Sequence, residues 1–292
     1  MCFSLCVALF VSLLAAPPSI LEPLGTFDPR RLPEASGIVK SQRHPGIFWV
    51  HNDSGNPPVL FAIHKDGSIV REIRLAVPNI DWEDIANDDQ GHLYLADIGN
   101  NGGLMAIRVV YQFDEPDPTA AVKEPLVPSA SSFYVLPRAD RFDAEGIFYE
   151  TDSGSVTVLT KRFDGREAEL LSIPFRPPAP LLRPAKPRLI GVLPGFVEPA
   201  TGASLSPDGR LLAVCSKTVT RIYRRGESTA WKLLAEVRYE PRSIEGIVWD
   251  GVDLITVSEG RGIDRIAGST WMGQARGELS PRLLTPTPSR PR

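Results

Sequence analysis

Cysteine is nearly absent from this chain of 292 residues: there are three, two of them within the first six positions. That leaves Cys215 alone and excludes both a disulfide framework and a cysteine zinc site. Cys215 ends the run Leu211-Leu212-Ala213-Val214-Cys215 and reads as a small buried residue on a strand. Histidine is scarce too, at four. There is no Gly-x-Ser-x-Gly elbow, P-loop, Gly-x-Gly-x-x-Gly, Cys-x-x-Cys or His-Glu-x-x-His. Elbow hydrolases, nucleotide-binding α/β folds and zinc proteases therefore lack support. Basic residues never run beyond two in a row and the net charge is −3, so the electrostatic footprint of a nucleic-acid binder is missing. The opening apolar run, Cys2 to Ala16, falls short of the roughly 20 residues of a spanning helix. Residues 1–20 are expected to be a secretory leader, with small Ala15 and Ala16 near its cleavage point. The expectation is a mature chain outside the cytoplasm, periplasmic or secreted, with no stable membrane insertion.

What the chain does have is turn chemistry, with 28 prolines and 24 glycines spread along it. These suit an all-β protein with many short connections. Five short motifs then repeat. They are Glu34-Ala35-Ser36-Gly37-Ile38, Asp81-Trp82-Glu83-Asp84-Ile85, Asp143-Ala144-Glu145-Gly146-Ile147, Pro199-Ala200-Thr201-Gly202-Ala203 and Ser243-Ile244-Glu245-Gly246-Ile247. Their fourth residues stand at 37, 84, 146, 202 and 246, giving spacings of 47, 62, 56 and 44. A period of roughly 40–50 residues built of strands is the signature of a β-propeller.

Each motif opens a unit of four strand-like runs separated by Gly, Asp and Asn turns. The first unit reads 37–41, 47–51, 59–64 and 69–76. The fifth shows only three runs, 246–249, 254–257 and 264–266. The segment Leu21 to Phe27 has the character of an outer strand and is expected to complete that last blade. The expected fold is a single propeller of four-stranded antiparallel blades over residues 21–270. Five blades are counted, with six as the alternative if the Pro-rich insertions 114–128 and 176–187, or residues 271–284, hide another sheet. Residues 271–292 are assigned to a Pro-rich, disordered tail.

The first strand of each propeller blade lines the central channel, so the acidic motif residues should converge on one mouth. The candidate metal ligands are Glu34, Asp81, Glu83, Asp84, Asp97, Asp143, Glu145 and Glu245. Carboxylates gathered at low dielectric repel one another and call for a cation, arginine or bound protons. Hard oxygen donors favour Ca²⁺ or Mg²⁺ over Zn²⁺. His51 and Asp53, in His51-Asn52-Asp53-Ser54-Gly55, are the weaker candidates for acid–base catalysis.

The 34–38 motif, His51-Asn52-Asp53-Ser54-Gly55, Trp82-Glu83-Asp84-Ile85 and Asp97-Ile98-Gly99-Asn100-Asn101 together resemble a group of secreted bacterial propellers. These are the phytase-like, "esterase-like activity of phytase" and SdiA-regulated families, grouped with TolB-like six-bladed propellers. The resemblance spans about residues 30–265 and implies fold and location better than activity. A looser similarity is to calcium-activated nucleotidases, five-bladed propellers with acidic inner strands around a central Ca²⁺, and to the axial-metal plan of gluconolactonase and paraoxonase relatives. It would implicate Glu34, Glu83, Glu145 and Glu245, with Thr201 at the matching place in the fourth unit.

The expected function is a monomeric module that binds a small-molecule or protein ligand at the channel mouth. The alternative is a Ca²⁺-dependent hydrolase of phosphate or carboxylic esters, with Arg43, Arg138, Arg141 and Lys161 as candidates to hold a phosphate.

Overall fold

The structure, a computed structural model, describes residues 20–121, 123–135, 143–175, 184–226, 230–260 and 262–275. Five four-stranded antiparallel sheets make up nearly all of it. The first holds β2 (Ala35–Lys40), β3 (Phe48–Asn52), β4 (Val59–Ile63) and β5 (Ile69–Arg74). The second holds β6 (Trp82–Asn87), β7 (His92–Asp97), β8 (Ile107–Asp114) and β9 (Ala130–Val135). The third is β10 (Asp143–Glu150), β11 (Ser155–Lys161), β12 (Glu169–Pro174) and β13 (Arg188–Val192). The fourth is β14 (Gly202–Leu205), β15 (Leu211–Cys215), β16 (Val219–Arg225) and β17 (Trp231–Arg238). The fifth joins β18 (Ile244–Asp250), β19 (Asp253–Ser258) and β20 (Gly262–Ile266) to β1 (Glu22–Gly25). The protein is thus a β-propeller of five blades.

The ring closes twice. Inner strand β2 packs against β6 and β18, β10 against β6 and β14, and β14 against β18. The chain's first described strand then pairs with its last, with Glu22 opposite Arg265 and Gly25 opposite Ile263. Arg265 and Glu22 also form an ion pair. This closure removes the exposed edge that β20 would otherwise present.

The core is not one mass but five clusters, each between two neighbouring blades. Trp49, Ile73, Trp82, Leu93 and Phe113 fill the space between the first and second blades. Phe48, Phe61, Val248 and Val257 do the same between the fifth and first. Successive residues of one strand, such as Phe48 and Trp49 of β3, therefore enter different clusters. That is why β3 is buried throughout, whereas outer β13 is mostly exposed.

Residues 271–275 differ from expectation. A short helix, α1 (Gly268–Met272), follows β20 instead of a tail or a sixth sheet. Trp271 is buried, donates its indole N–H to the Val252 carbonyl at 2.9 Å and meets Trp249 edge-on. The expected boundary at 270 therefore cuts through packed structure. The leader and residues 276–292 lie outside the described residues. Among the described residues, no helix is long and apolar enough to cross a membrane.

Candidate functional site

The inner strands enter the channel at a shared end, and in four of them the pairing register slips there. The slips lie between Ala35 and Ile38, Trp82 and Asp84, Ala144 and Gly146, and Ile244 and Gly246. A β-bulge frees one residue from the ladder and re-aims its side chain. The freed positions include Ser36, Glu83, Glu145 and Glu245, and Thr201 is their counterpart ahead of β14.

The next residue in each strand is Gly37, Asp84, Gly146, Gly202 or Gly246. The glycines let the strands crowd the axis: a Cβ on Gly202 would stand 2.8 Å from the Glu245 carbonyl, and one on Gly246 would strike that of Ser36. Asp84 fills the space they leave. Its carboxylate accepts the backbone N–H of Ile85 (2.9 Å), Ile147 (2.9 Å) and Ala203 (3.3 Å). One side chain so ties three blades together. Burial pushes its pKa well up despite the opposing pull of those three bonds. Asp84 is an axial clasp rather than the metal ligand expected from its motif.

One residue nearer the mouth, five carboxylates face one another. Asp53, Asp81 and Glu83 offer oxygens all within 4.8 Å of each other, and so do Glu83, Asp143 and Glu145. Glu83 belongs to both triads. It is 3% exposed, and its Oε1 is buried with no hydrogen-bond partner. Burial, then the charges of Glu145, Asp53, Asp81 and Asp143, push its pKa well above the usual range. Burial likewise raises Asp81, and lifts Asp53 to about 6. Gly99 forms a wall here, because a Cβ on it would collide with the carboxylates of Glu83 and Asp81. Lys161, at the end of β11, hydrogen-bonds Glu145 and lies 3.9 Å from Asp143 Oδ2. An all-oxygen donor set with an orphaned buried atom fits a hard cation such as Ca²⁺.

The other expected ligands are engaged elsewhere. Asp97 accepts the N–H of Asp81 (2.8 Å) and so fixes the entry of β6. Glu34 accepts from the Asn56 side chain and lies outside both triads, with Ser36 the residue level with Glu83. Glu245 pairs with Lys217 at 3.1 Å, outside both triads. His51 is not placed for acid–base work with Asp53. It is wholly buried, its Nδ1 lies 3.0 Å from the Asn52 carbonyl, and its ring meets Trp82 edge-on. Burial lowers its pKa to about 4, keeping it neutral. Asp53, expected as a catalytic partner, joins the first triad instead. Arg43 donates to the Gln90 carbonyl in the β6–β7 turn, at the far end of the channel; Arg138 and Arg141 lie outside the described residues.

A cavity of about 510 Å³ opens at the opposite end, lined by Lys40, Asp88, Glu150, Arg225 and Trp249 among others. Four of its charged groups already have partners: Arg225 with Glu150, Lys40 with Asp250, and Asp88 with Tyr94 and His92. The buried, unpartnered Glu83 Oε1 sits at the carboxylate mouth and not in this cavity. Sequence inspection had found Asp81, Glu83, Asp143 and Glu145. It missed Gly99, whose place in Asp97-Ile98-Gly99 was visible but whose contact with β6 was not.

Fold and mouth together define an all-β, five-bladed propeller with a carboxylate-lined entrance. No family model and no curated protein matches the chain. Similar solved structures include Kuenenia stuttgartiensis hydrazine synthase, at 12% identity and TM-score 0.46, over 81% of this chain and 72% of that one. A nidogen/laminin complex gives 12% and 0.44, over 77% and 72%. Virginiamycin B lyase from Staphylococcus aureus, bearing quinupristin, gives 14% and 0.40, over 79% and 65%. Likeness at this level does not extend to function.

Proposed function

We propose that this propeller is a binding module whose carboxylate mouth holds Ca²⁺ and, through it, an anionic group of a small-molecule or protein ligand. The observation that carries this reading is Glu83 Oε1, buried, unpartnered and common to both triads. An unmet buried carboxylate is costly unless a cation or a proton meets it. Asp53, Asp81 and Glu83 would hold the ion, with Asp143 and Glu145 beside them; it would supply fixed positive charge and Lewis acidity.

The rim supports a ligand with an apolar part. Leu104 is 82% exposed on a loop whose Asn100 N–H is donated to Asp143 at 2.7 Å. Phe163 is 74% exposed, two residues from Lys161, and Ile80, at 50%, precedes Asp81. Extracellular calcium modules work at about 10⁻⁴–10⁻³ M, an affinity that a periplasmic or secreted propeller could use.

The test is thermal melting in EDTA and in Ca²⁺. An ion at a hundred times its Kd should stabilise by about 2.7 kcal/mol; an unchanged transition would remove the cation. The ester-hydrolase alternative draws on the same ion as Lewis acid, with Lys161 beside it to hold a phosphate. Calcium-dependent cleavage of aryl esters or phosphomonoesters, lost in Glu83→Gln, would favour it over simple binding.

A further inference from the structure

We propose that Lys161 is a tethered cation occupying the second triad, so that the mouth takes a single divalent ion, in the triad of Asp53, Asp81 and Glu83. The ion's identity rests on the calcium reading above; the role of the lysine does not.

By carboxylates alone the mouth resembles a two-ion site bridged by Glu83, since each triad brings its oxygens within 4.8 Å. The two halves differ in what already neutralises them. Among the described residues, the mouth's ion pairs are those of Lys161 with Glu145 and Asp143, and of Lys217 with Glu245. Asp53, Asp81 and Glu83 take part in none of these. The Lys161 side chain is only 14% exposed, so its ammonium is inserted into the well rather than lying across it. The ladder delivers it there, because β10 and β11 pair with Asp143 opposite Lys161.

Donor capacity points the same way. Asp143 Oδ1 already accepts the N–H groups of Asn100 (2.7 Å) and Ala144 (3.1 Å). Lys161 hydrogen-bonds Glu145 and stands 3.9 Å from Asp143 Oδ2, which is buried without a hydrogen-bond partner of its own, so a second divalent ion there would meet a like charge beside it. Lys161 does not pair with the first triad, where the charge of the buried Arg108 acts on Asp81, and the wall at Gly99 leaves room there for a small ion rather than a side chain. A bound anion would then meet two unlike positive groups, a replaceable metal and a fixed ammonium.

Calorimetric titration of Ca²⁺ into the EDTA-treated full chain tests this. The wild type should bind one ion and Lys161→Met two, with Lys161→Met/Glu145→Gln returning to one. Asp53→Asn should weaken the single wild-type ion by about tenfold or more, and Asp143→Asn by clearly less. Two ions in the wild type would overturn the proposal. So would an unchanged count in folded Lys161→Met, or a wild-type ion sensitive to Asp143→Asn and indifferent to Asp53→Asn. If the wild type binds none, the calcium reading falls; one ion in Lys161→Met would then still support the lysine, and none would overturn it too. Lys161→Gln serves if the methionine variant fails to fold, and the wild-type count with the two aspartate variants decides the matter if both fail.

Discussion

Asp84 is the residue on which the channel axis turns. Four glycines and one aspartate occupy matching positions, and the aspartate spends both oxygens on backbone N–H groups. Asp84→Ala should strand three buried donors at about 1–3 kcal/mol each, so a loss of about 3 kcal/mol or more is expected in urea unfolding. Asp84→Asn keeps one accepting oxygen and should lose less than the alanine variant. Equal losses would mean that the side chain fills space and nothing else. The odd aspartate among glycines was plain in the sequence; its meaning was not, because two of its partners come from strands 63 and 119 residues away. Gly99 poses the complementary test at the mouth. A methyl group there must displace the carboxylates of Glu83 and Asp81. Gly99→Ala should therefore abolish stabilisation by Ca²⁺ in a melting assay while the blades still form. Undiminished stabilisation would move the ion away from the first triad.

At the scale of the strand, local signals proved dependable and their ends did not. Turn residues such as Asp66-Gly67 and Pro207-Asp208-Gly209 set off the runs, and the strands starting at 59 and 69 begin where the sequence placed them. The bulged inner strands start earlier than expected, β2 at Ala35 rather than Gly37 and β18 at Ile244 rather than Gly246, because the bulges extend pairing past the glycine. A bulge is a matter of register between two strands, so neither strand's residues announce it alone. Ser36, by contrast, stands level with Glu83 in the aligned motifs as in the structure, and Glu34 was matched to Glu83 only by the looser family similarity. Closure by β1 was legible, since an unmatched outer-strand segment stood at one end and a three-stranded unit at the other. It carries a consequence: a chain begun at Thr26 leaves the backbone groups of β20 unpaired. That variant should melt earlier and self-associate, visible as added mass in size-exclusion chromatography with light scattering. A monomer of unchanged stability would show that the ring holds without its clasp.

For the molecule as a whole, the closed ring sets a charge problem that pH and calcium should answer in opposite senses. Burial raises the pKa values of Asp53 and Asp97 to about 6, and those of Asp81, Glu83 and Glu245 upward as well. The metal-free folded state therefore keeps protons that the unfolded chain has already released. Where that holds, stability falls as pH rises, here from the ordinary carboxylate value near 4 through about 6 for Asp53 and Asp97. Glu198, Glu236 and Asp250 act the other way. Their cationic partners outweigh burial and lower their pKa values, so their contribution is lost as pH drops beneath the usual range. EDTA-treated protein should thus melt highest on the mildly acid side and lose stability toward neutrality. Ca²⁺ takes the place of the protons, so its effect should grow over the same interval and cancel the decline. Melting curves from pH 4 to 8, with EDTA and with Ca²⁺, test both slopes together. A metal-free melting temperature that climbs toward neutral pH would mean that the mouth is neutralised from within, and the ring would then need no ion at its centre.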